Sequence, residues 1–263
     1  MATVNELKNE IATKKETGVG SAGNTIKSLL NSPAIKKRFE EVLNKKAPQY
    51  MSSIVNLVNG DTNLKKCDQM SVIASCMVAA TLDLPVDKNL GYAWIVPYGN
   101  KAQFQLGYKG YVQLALRTGQ YKSINVIEVH EGELIEWNPL TEELKIDFSQ
   151  KKSDAIIGYA GYFELINGFK KSTYWTKEQI EKHRKKFSKS DFGWNKDFDA
   201  MAKKTVLRNM LSKWGVLSIE MQTAYTADQA TIKPEAVGTG DIKGNVDYVE
   251  ADFESYEGTP FEE

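Results

Sequence analysis

Apolar residues recur at two different periods along this chain, and the switch between them marks out its elements. From residue 32 to residue 83 the period is helical. Ile35, Phe39, Val42 and Leu43 form one stripe behind a Ser32-Pro33 helix start. Met51, Ile54, Val55 and Val58 form a second, opened by Pro48 and closed by Gly60-Asp61. Met70, Ile73, Ala74, Met77 and Val78 form a third, capped by Asp68. Three helices in a row predict a helical N-terminal lobe. Beyond residue 89 the period drops to two. Tyr92 to Tyr98 and Ala102 to Leu106 read as strands, and Gly99-Asn100 between them suits a two-residue type II′ loop.

That loop predicts a register. Tyr98 faces Lys101, Val96 faces Gln103 and Trp94 faces Gln105. Pro97, Ile95 and Ala93 face Ala102, Phe104 and Leu106 and give the hairpin an apolar side. The other side presents Tyr92, Trp94, Tyr98, Lys101, Gln103 and Gln105. Rings, amides and a cation on one flat face suit stacked bases and a sugar-phosphate backbone. The same residues also suit an ordinary solvated sheet face, and the hairpin alone leaves both readings open.

A helix is predicted over Tyr108 to Arg117, with Tyr108, Tyr111, Val112 and Ala115 as its apolar stripe. Lys109, Gln113 and Arg117 share another line, and Gly107 and Gly110 let a backbone approach. A strand over Ser123 to Glu131 places Ile124, Val126 and Glu128 on one face and Ile127 and Val129 on the other. Glu133 to Trp137 and Leu144 to Phe148 read as two short strands. Ile156 to Ile166 and Phe169 to Trp175 flank the hairpin signal Asn167-Gly168. Thr176 with Gln179 three residues on predicts a capping box and a basic helix to Phe187. The last long helix runs from Asp197 to Trp214, stopped by Gly215, with Leu207, Met210, Leu211 and Trp214 inward. Lys204, Thr205, Arg208 and Ser212 share another line free of acids, which fits either a solvated face or a phosphate-binding one.

These elements predict an α+β fold. It has a helical N-terminal lobe, antiparallel β hairpins or sheet packed with long helices, and a disordered acidic C-terminal tail. Residues 1–25 are expected to be disordered. Residues 26–227 are expected to form the α+β domain, with the helical lobe at 26–83 and the sheet-and-helix core at 84–227. Residues 228–263 lose periodicity and are expected to be a flexible acidic tail.

Composition changes the picture in one respect. The net charge of +0 conceals a split. The stretch from Lys233 onward holds 2 Lys and 9 acids, so it is −7, which leaves 32 basic and 25 acidic residues, or +7, before it. A basic body with an acidic tail is common among nucleic-acid binders, and is also what a solvated surface with a solubilising tail looks like. No apolar run approaches the roughly 18 residues of a membrane span. The N-terminus shows no apolar signal core. Cys67 and Cys76 stand nine apart on what reads as one helix, too far for a disulfide. A cytoplasmic protein is expected.

Catalytic patterns are thin. His130 and His183 stand in no metal-ligand spacing with a cysteine, and neither a phosphate loop nor a G-x-S-x-G elbow occurs. Glu143-Leu144-Lys145 with Asp147 or Asp154 has the form of a metal-dependent nuclease site, which chance alone produces in so charged a chain.

Three stretches resemble the RecT family of phage and prophage recombinases. They are LPVDKNLGYAWIVPY at 84–98 with QFQLGYKGY at 103–111, AKKTVLR at 202–208, and DFGW at 191–194. The resemblance spans roughly residues 27–227. It implies a single-strand annealing protein of the RecT/Redβ group, not an enzyme. Such a protein binds single-stranded DNA, pairs it with a complementary strand without ATP or another required cofactor, and holds the annealed duplex intermediate in a homo-oligomeric ring or filament. It also implies a phage or prophage gene acting in a bacterial cytoplasm, and cooperation with a phage exonuclease and the host single-strand-binding protein. A single-strand-binding protein that coats without annealing, and a metal-dependent nuclease subunit, remain as alternatives.

On this reading Lys109, Arg117, Lys204 and Arg208 neutralise phosphates, with Lys101, Lys122, Lys189 and Lys203 as weaker candidates. Trp94, Gln103 and Gln105 lie against bases or sugars, and Tyr108 and Tyr111 complete the set. Lys36, Lys37 and Phe39 are a candidate contact with a neighbouring subunit.

Overall fold

The computed structural model describes residues 25–188, 191–228, 230–239 and 241–247. The disorder expected of residues 1–24 and of the tail beyond residue 247 lies outside these described residues. The fold is α+β with antiparallel sheets.

The helical lobe comprises α1 (Ile26–Leu30), α2 (Pro33–Leu43), α3 (Ala47–Asn59), α4 (Thr62–Lys66) and α5 (Gln69–Thr81). α5 is apolar on every side, so it is a core helix, with residues 71–80 all buried. Asp68 caps it, accepting from the Met70 and Ser71 amides. Asp61 caps the short α4, which interrupts the single helix expected around the cysteines. Cys67 therefore ends α4 and Cys76 lies within α5, both as buried free thiols. Phe39 is fully buried and faces the core, so it offers nothing to a neighbour.

The first hairpin, β1 (Ala93–Tyr98) and β2 (Lys101–Leu106), has the register read from its loop, with Trp94 opposite Gln105 and Tyr98 opposite Lys101. Gly99 has φ +56, as the first central position of a type II′ turn demands. Its apolar side packs on α5. Ser71 Oγ accepts from the Ala102 amide at 2.9 Å, and Ser75 Oγ donates to the Ala102 carbonyl at 3.1 Å. α6 (Tyr108–Arg117) follows.

A second sheet has the order β3-β6-β7, built from β3 (Tyr121–His130), β6 (Ile156–Leu165) and β7 (Lys170–Thr176). The Asn167-Gly168 hairpin leaves its first strand one residue earlier than a two-residue loop would, so Ile166 joins the loop. Only Gly168 takes a positive φ, Leu165 donates to the Phe169 carbonyl, and Ile166 is left 62% exposed outside the strand. α7 (Lys177–Phe187) begins with the expected capping box between Thr176 and Gln179. The short α8 (Phe192–Lys196) leads into α9 (Phe198–Trp214), which crosses one face of the second sheet. Gly161 makes that approach close, because a Cβ there would stand 3.0 Å from Val206 Cγ1. The other face is covered by a two-stranded sheet, β4 (Leu134–Asn138) and β5 (Glu143–Ile146), around Val129, Ala160 and Tyr174.

The principal departure from expectation lies past residue 215. α10 (Ile219–Ala227) is a further helix. Residues 230–239 and 241–247, expected to be tail, contribute β8 (Thr231–Ile232), α11 (Glu235–Thr239) and β9 (Val246–Asp247). β8 pairs with β2 and extends the first sheet to β1-β2-β8-β9. Ala230, Ile232, Ala236, Val237 and Ile242 join the buried cluster that begins at Ile26. These residues are small or singly spaced, so no periodicity announces them.

Candidate nucleic-acid interface

The corner where the first hairpin meets α6 is built by glycines. The chain at Gly91 and Tyr92 crosses against Gly107 and Gly110. A Cβ at Gly107 would collide with the Gly91 carbonyl oxygen and stand 3.1 Å from Trp94 Nε1, and one at Gly110 would collide with the Tyr92 carbonyl. The Gly107 amide donates to the Tyr92 carbonyl at 2.8 Å and closes the crossing. This close approach gathers three of the expected site residues. Trp94 lies half-buried against Gly107, Gln105 stands opposite it in the register, and Lys109 runs its stem past Gly91 with its residue exposed. Lys101 is exposed at the hairpin's far end, roughly 13 Å away along the strand. Among the described residues neither Lys101 nor Lys109 has a carboxylate within ion-pair distance.

Behind this corner lies a buried polar knot. Asp228, fully buried, accepts from the Leu106 amide at 2.9 Å and from the Tyr111 hydroxyl at 2.7 Å. Arg208 Nε donates to Tyr111 Oη at 3.1 Å and lies 3.4 Å from Asp228 Oδ2. Tyr111 and then Asp228 hold the guanidinium more firmly protonated than usual, against the pull of burial. One helical turn earlier, Lys204 is 8% exposed and has no carboxylate within 4 Å among the described residues. Burial lowers its pKa, Arg208 adds to the effect, and the Asp228 charge opposes it. Lys204 and Arg208 thus place two cations side by side in a low-dielectric setting, with a third of the Arg208 side chain still open to solvent.

Several expected site residues are engaged elsewhere. Gln103 is 5% exposed, because β8 places Thr231 beside it and β2 is an inner strand. Tyr111 is a core residue and cannot stack on a base. Arg117 donates to the Leu82 and Asp83 carbonyls at 2.5 and 2.7 Å and closes the end of α5. Lys122 pairs with Glu164 at 2.9 Å, and Lys203 with Glu128 at 2.7 Å. Tyr108 is half-buried; burial raises its pKa, and the Val126 amide and Lys203 offset that. Lys189 lies outside the described residues. The nuclease-like set does not converge: Lys145 pairs with Glu136, Asp154 with Lys151, and Asp147 bonds to Ser149.

Asp228 was not legible as a site residue, since it sits alone after α10 with no partner nearby in sequence. The cations of α7 were visible as a basic run, but nothing in the run told which of them the fold leaves exposed.

The RecT family model matches residues 48–240. The chain is 67% identical over 232 residues to an uncharacterized protein YqaK of Bacillus subtilis (strain 168), covering 88% of this chain and 82% of that protein. It is 28% identical over 218 residues to Protein RecT of Escherichia coli (strain K12), covering 77% of this chain and 79% of that one.

Proposed function

The chain belongs to the RecT family, and on that premise we propose that it binds single-stranded DNA and anneals complementary strands in homologous recombination, as an oligomer and without ATP. The observation that carries this reading is the corner at Gly91 and Gly107, where an aromatic ring, an amide and an unpaired cation meet on an accessible surface. Trp94 gives a ring against which a base stacks whatever its sequence. Lys109 and Lys101 neutralise phosphates on either side of it, and Gln105 hydrogen-bonds sugar or phosphate oxygens. Lys204 and Arg208 supply further positive potential from beneath. Contacts of this kind leave the pairing edges of the bases free, so a second strand is selected by base pairing and not by the protein. Few phosphate contacts per subunit bind weakly, and repetition along a strand makes an array bind tightly.

The test is annealing of two dye-labelled complementary oligonucleotides, added in sequence without ATP and followed by energy transfer. Acceleration over the spontaneous rate, lost in a Lys101→Ala, Lys109→Ala double variant that melts normally, is expected. Binding without acceleration would leave a coating protein. Degradation of the strands in the presence of divalent metal would revive the nuclease alternative.

A further inference from the structure

β9 is the outer strand of the first sheet, and Lys233 pairs with its last residue, Asp247, at 3.0 Å. The strand pairing fixes where β9 points. Val96 stands opposite Gln103, Gln103 opposite Thr231, and Thr231 opposite Asp247, so one row crosses all four strands. β2 and β9 are both antiparallel to β8, so they run the same way, and β2 runs toward Gly107. The chain therefore leaves Asp247 headed for the end of the sheet that carries the Trp94–Gln105 row, about 7 Å further along the strands. Across the sheet, β1 lies three strand spacings from β9, roughly 14 Å.

The sequence beyond Asp247 differs in character from what precedes it. Residues 248–263 hold six acids, Glu250, Asp252, Glu254, Glu257, Glu262 and Glu263, and neither Lys nor Arg. Tyr248, Phe253, Tyr256 and Phe261 make four of these sixteen residues aromatic, against 10% of the whole chain. A solubilising segment needs the acids and gains nothing from the rings. Negative charges interspersed with flat apolar faces are instead the chemistry of a single polynucleotide strand. The corner at Gly91 and Gly107 is the complement of that chemistry. It offers the half-buried Trp94 and the exposed Lys101 and Lys109, neither of which has a carboxylate within ion-pair distance among the described residues.

We propose that the acidic, ring-bearing segment 248–263 of the same chain docks on the Trp94 corner and competes there with single-stranded DNA. This rests on the reading of that corner as the strand-binding surface and adds its second occupant. Sixteen residues reach up to roughly 50 Å, several times the distance to be crossed. Gln103 and Thr231 are buried between the two edges, so the segment passes over the elements that cover them. Its carboxylates meet Lys101 and Lys109, and its rings take the place of a base against Trp94. A strand that offers more charges than the segment displaces it, and short or weakly bound strands are turned away.

The experiment uses the full chain and reads affinity for a dye-labelled single strand by fluorescence anisotropy at low salt. One variant neutralises charge: Glu250→Gln, Asp252→Asn, Glu254→Gln and Glu257→Gln together. A second removes rings and no charge: Phe253→Ala with Tyr256→Ala. The charge variant is also made in a Lys101→Gln, Lys109→Gln background, and each protein is checked for an unchanged melting transition. A segment that occupies the corner in nine molecules of ten leaves one tenth competent, so the charge variant is expected to bind about tenfold more tightly. The ring variant is expected to gain affinity as well. In the Lys101→Gln, Lys109→Gln background the gain should shrink to within about twofold, because the docking cations are gone. An equal gain in both backgrounds would show repulsion from a distance without docking, and would overturn the proposal. No gain in the charge variant, or none in the ring variant, would overturn it too. Failure of every protein, the unsubstituted one included, to bind a single strand would remove the parent reading and the proposal with it, a result distinct from the others.

Discussion

Arg208 on α9 and Asp228 at the end of α10 meet at 3.4 Å, and both bond to the same Tyr111 hydroxyl. Four pieces of chain depend on this contact, because Asp228 also accepts from the Leu106 amide on β2. Asp228→Ala would leave a buried amide and a buried hydroxyl without their acceptor and a guanidinium without its counter-charge. The expected cost is roughly 3 kcal/mol, near the lower end for a broken buried pair, since Arg208 retains some access to water. Denaturant unfolding reads it directly. A loss under 1 kcal/mol would mean that the knot is not a structural hub.

Lys204 stands in the same interior with no carboxylate within 4 Å among the described residues. Its folded pKa is lowered, first by burial. As pH falls below the ordinary lysine value, the unfolded chain takes up the proton before the folded one does. Stability therefore declines through that window. Lys204→Met keeps the stem and discards the charge. The expected outcome is a gain of about 1 kcal/mol at neutral pH, a weaker alkaline dependence, and weaker binding to single-stranded DNA. A stabilised variant with undiminished DNA affinity would remove Lys204 from the binding surface.

His183 gives a second dependence on pH. Its pKa is lowered by burial first, and then by the charges of Arg208 and Lys213. Glu181 and Arg184 are the charged neighbours on its own helix, and Trp175 and Phe187 are the rings packed against it. A base with a lowered folded pKa contributes stability above its unfolded value, here 6.5, and loses it as pH falls through the folded value. His183→Phe retains the ring contacts and cannot titrate. Thermal melts from pH 7.5 down to pH 5 should show the original protein losing ground against the variant below about pH 6.5. Parallel curves would contradict the assignment.

The sequence was most informative where a local rule sets geometry. A two-residue loop at Gly99-Asn100 left one choice of register, and the observed pairing of Trp94 with Gln105 follows it. The Thr176 capping box and the limits of α6 are local in the same way. The fold past Asp228 was illegible because Ile232, Val237 and Ile242 are buried by distant partners and make no stripe of their own. The candidate site shows the same division. Spacing put Lys204 and Arg208 near one another on a helix, but it carried no information about Asp228, twenty residues on, or Tyr111, nearly a hundred residues back. Arg117 shared a line with Lys109 and yet ends on the Leu82 and Asp83 carbonyls, because the end of α5 comes within its reach. Helical phase places residues on one side, and the packing of other elements decides what that side meets.

Trp94 and Lys109 sit on the same glycine crossing, and they are expected to fail differently when removed. Trp94→Ala deletes a stacking surface and no charge. Single-strand affinity should fall by about 1–3 kcal/mol, and the slope of log affinity against log salt should not move. Trp94→Phe should restore much of the loss, since any aromatic face stacks. Lys109→Ala deletes one phosphate contact, so the slope should shrink by about 0.7 and the loss should be larger at low salt than at high salt. Titrations of a labelled oligonucleotide at four salt concentrations separate the two signatures. A Trp94→Ala variant with unchanged affinity at every salt would move the strand off the hairpin, even if Lys109 behaved as expected. A slope change in both variants would show instead that Trp94 holds Lys109 in place and does not itself touch the DNA.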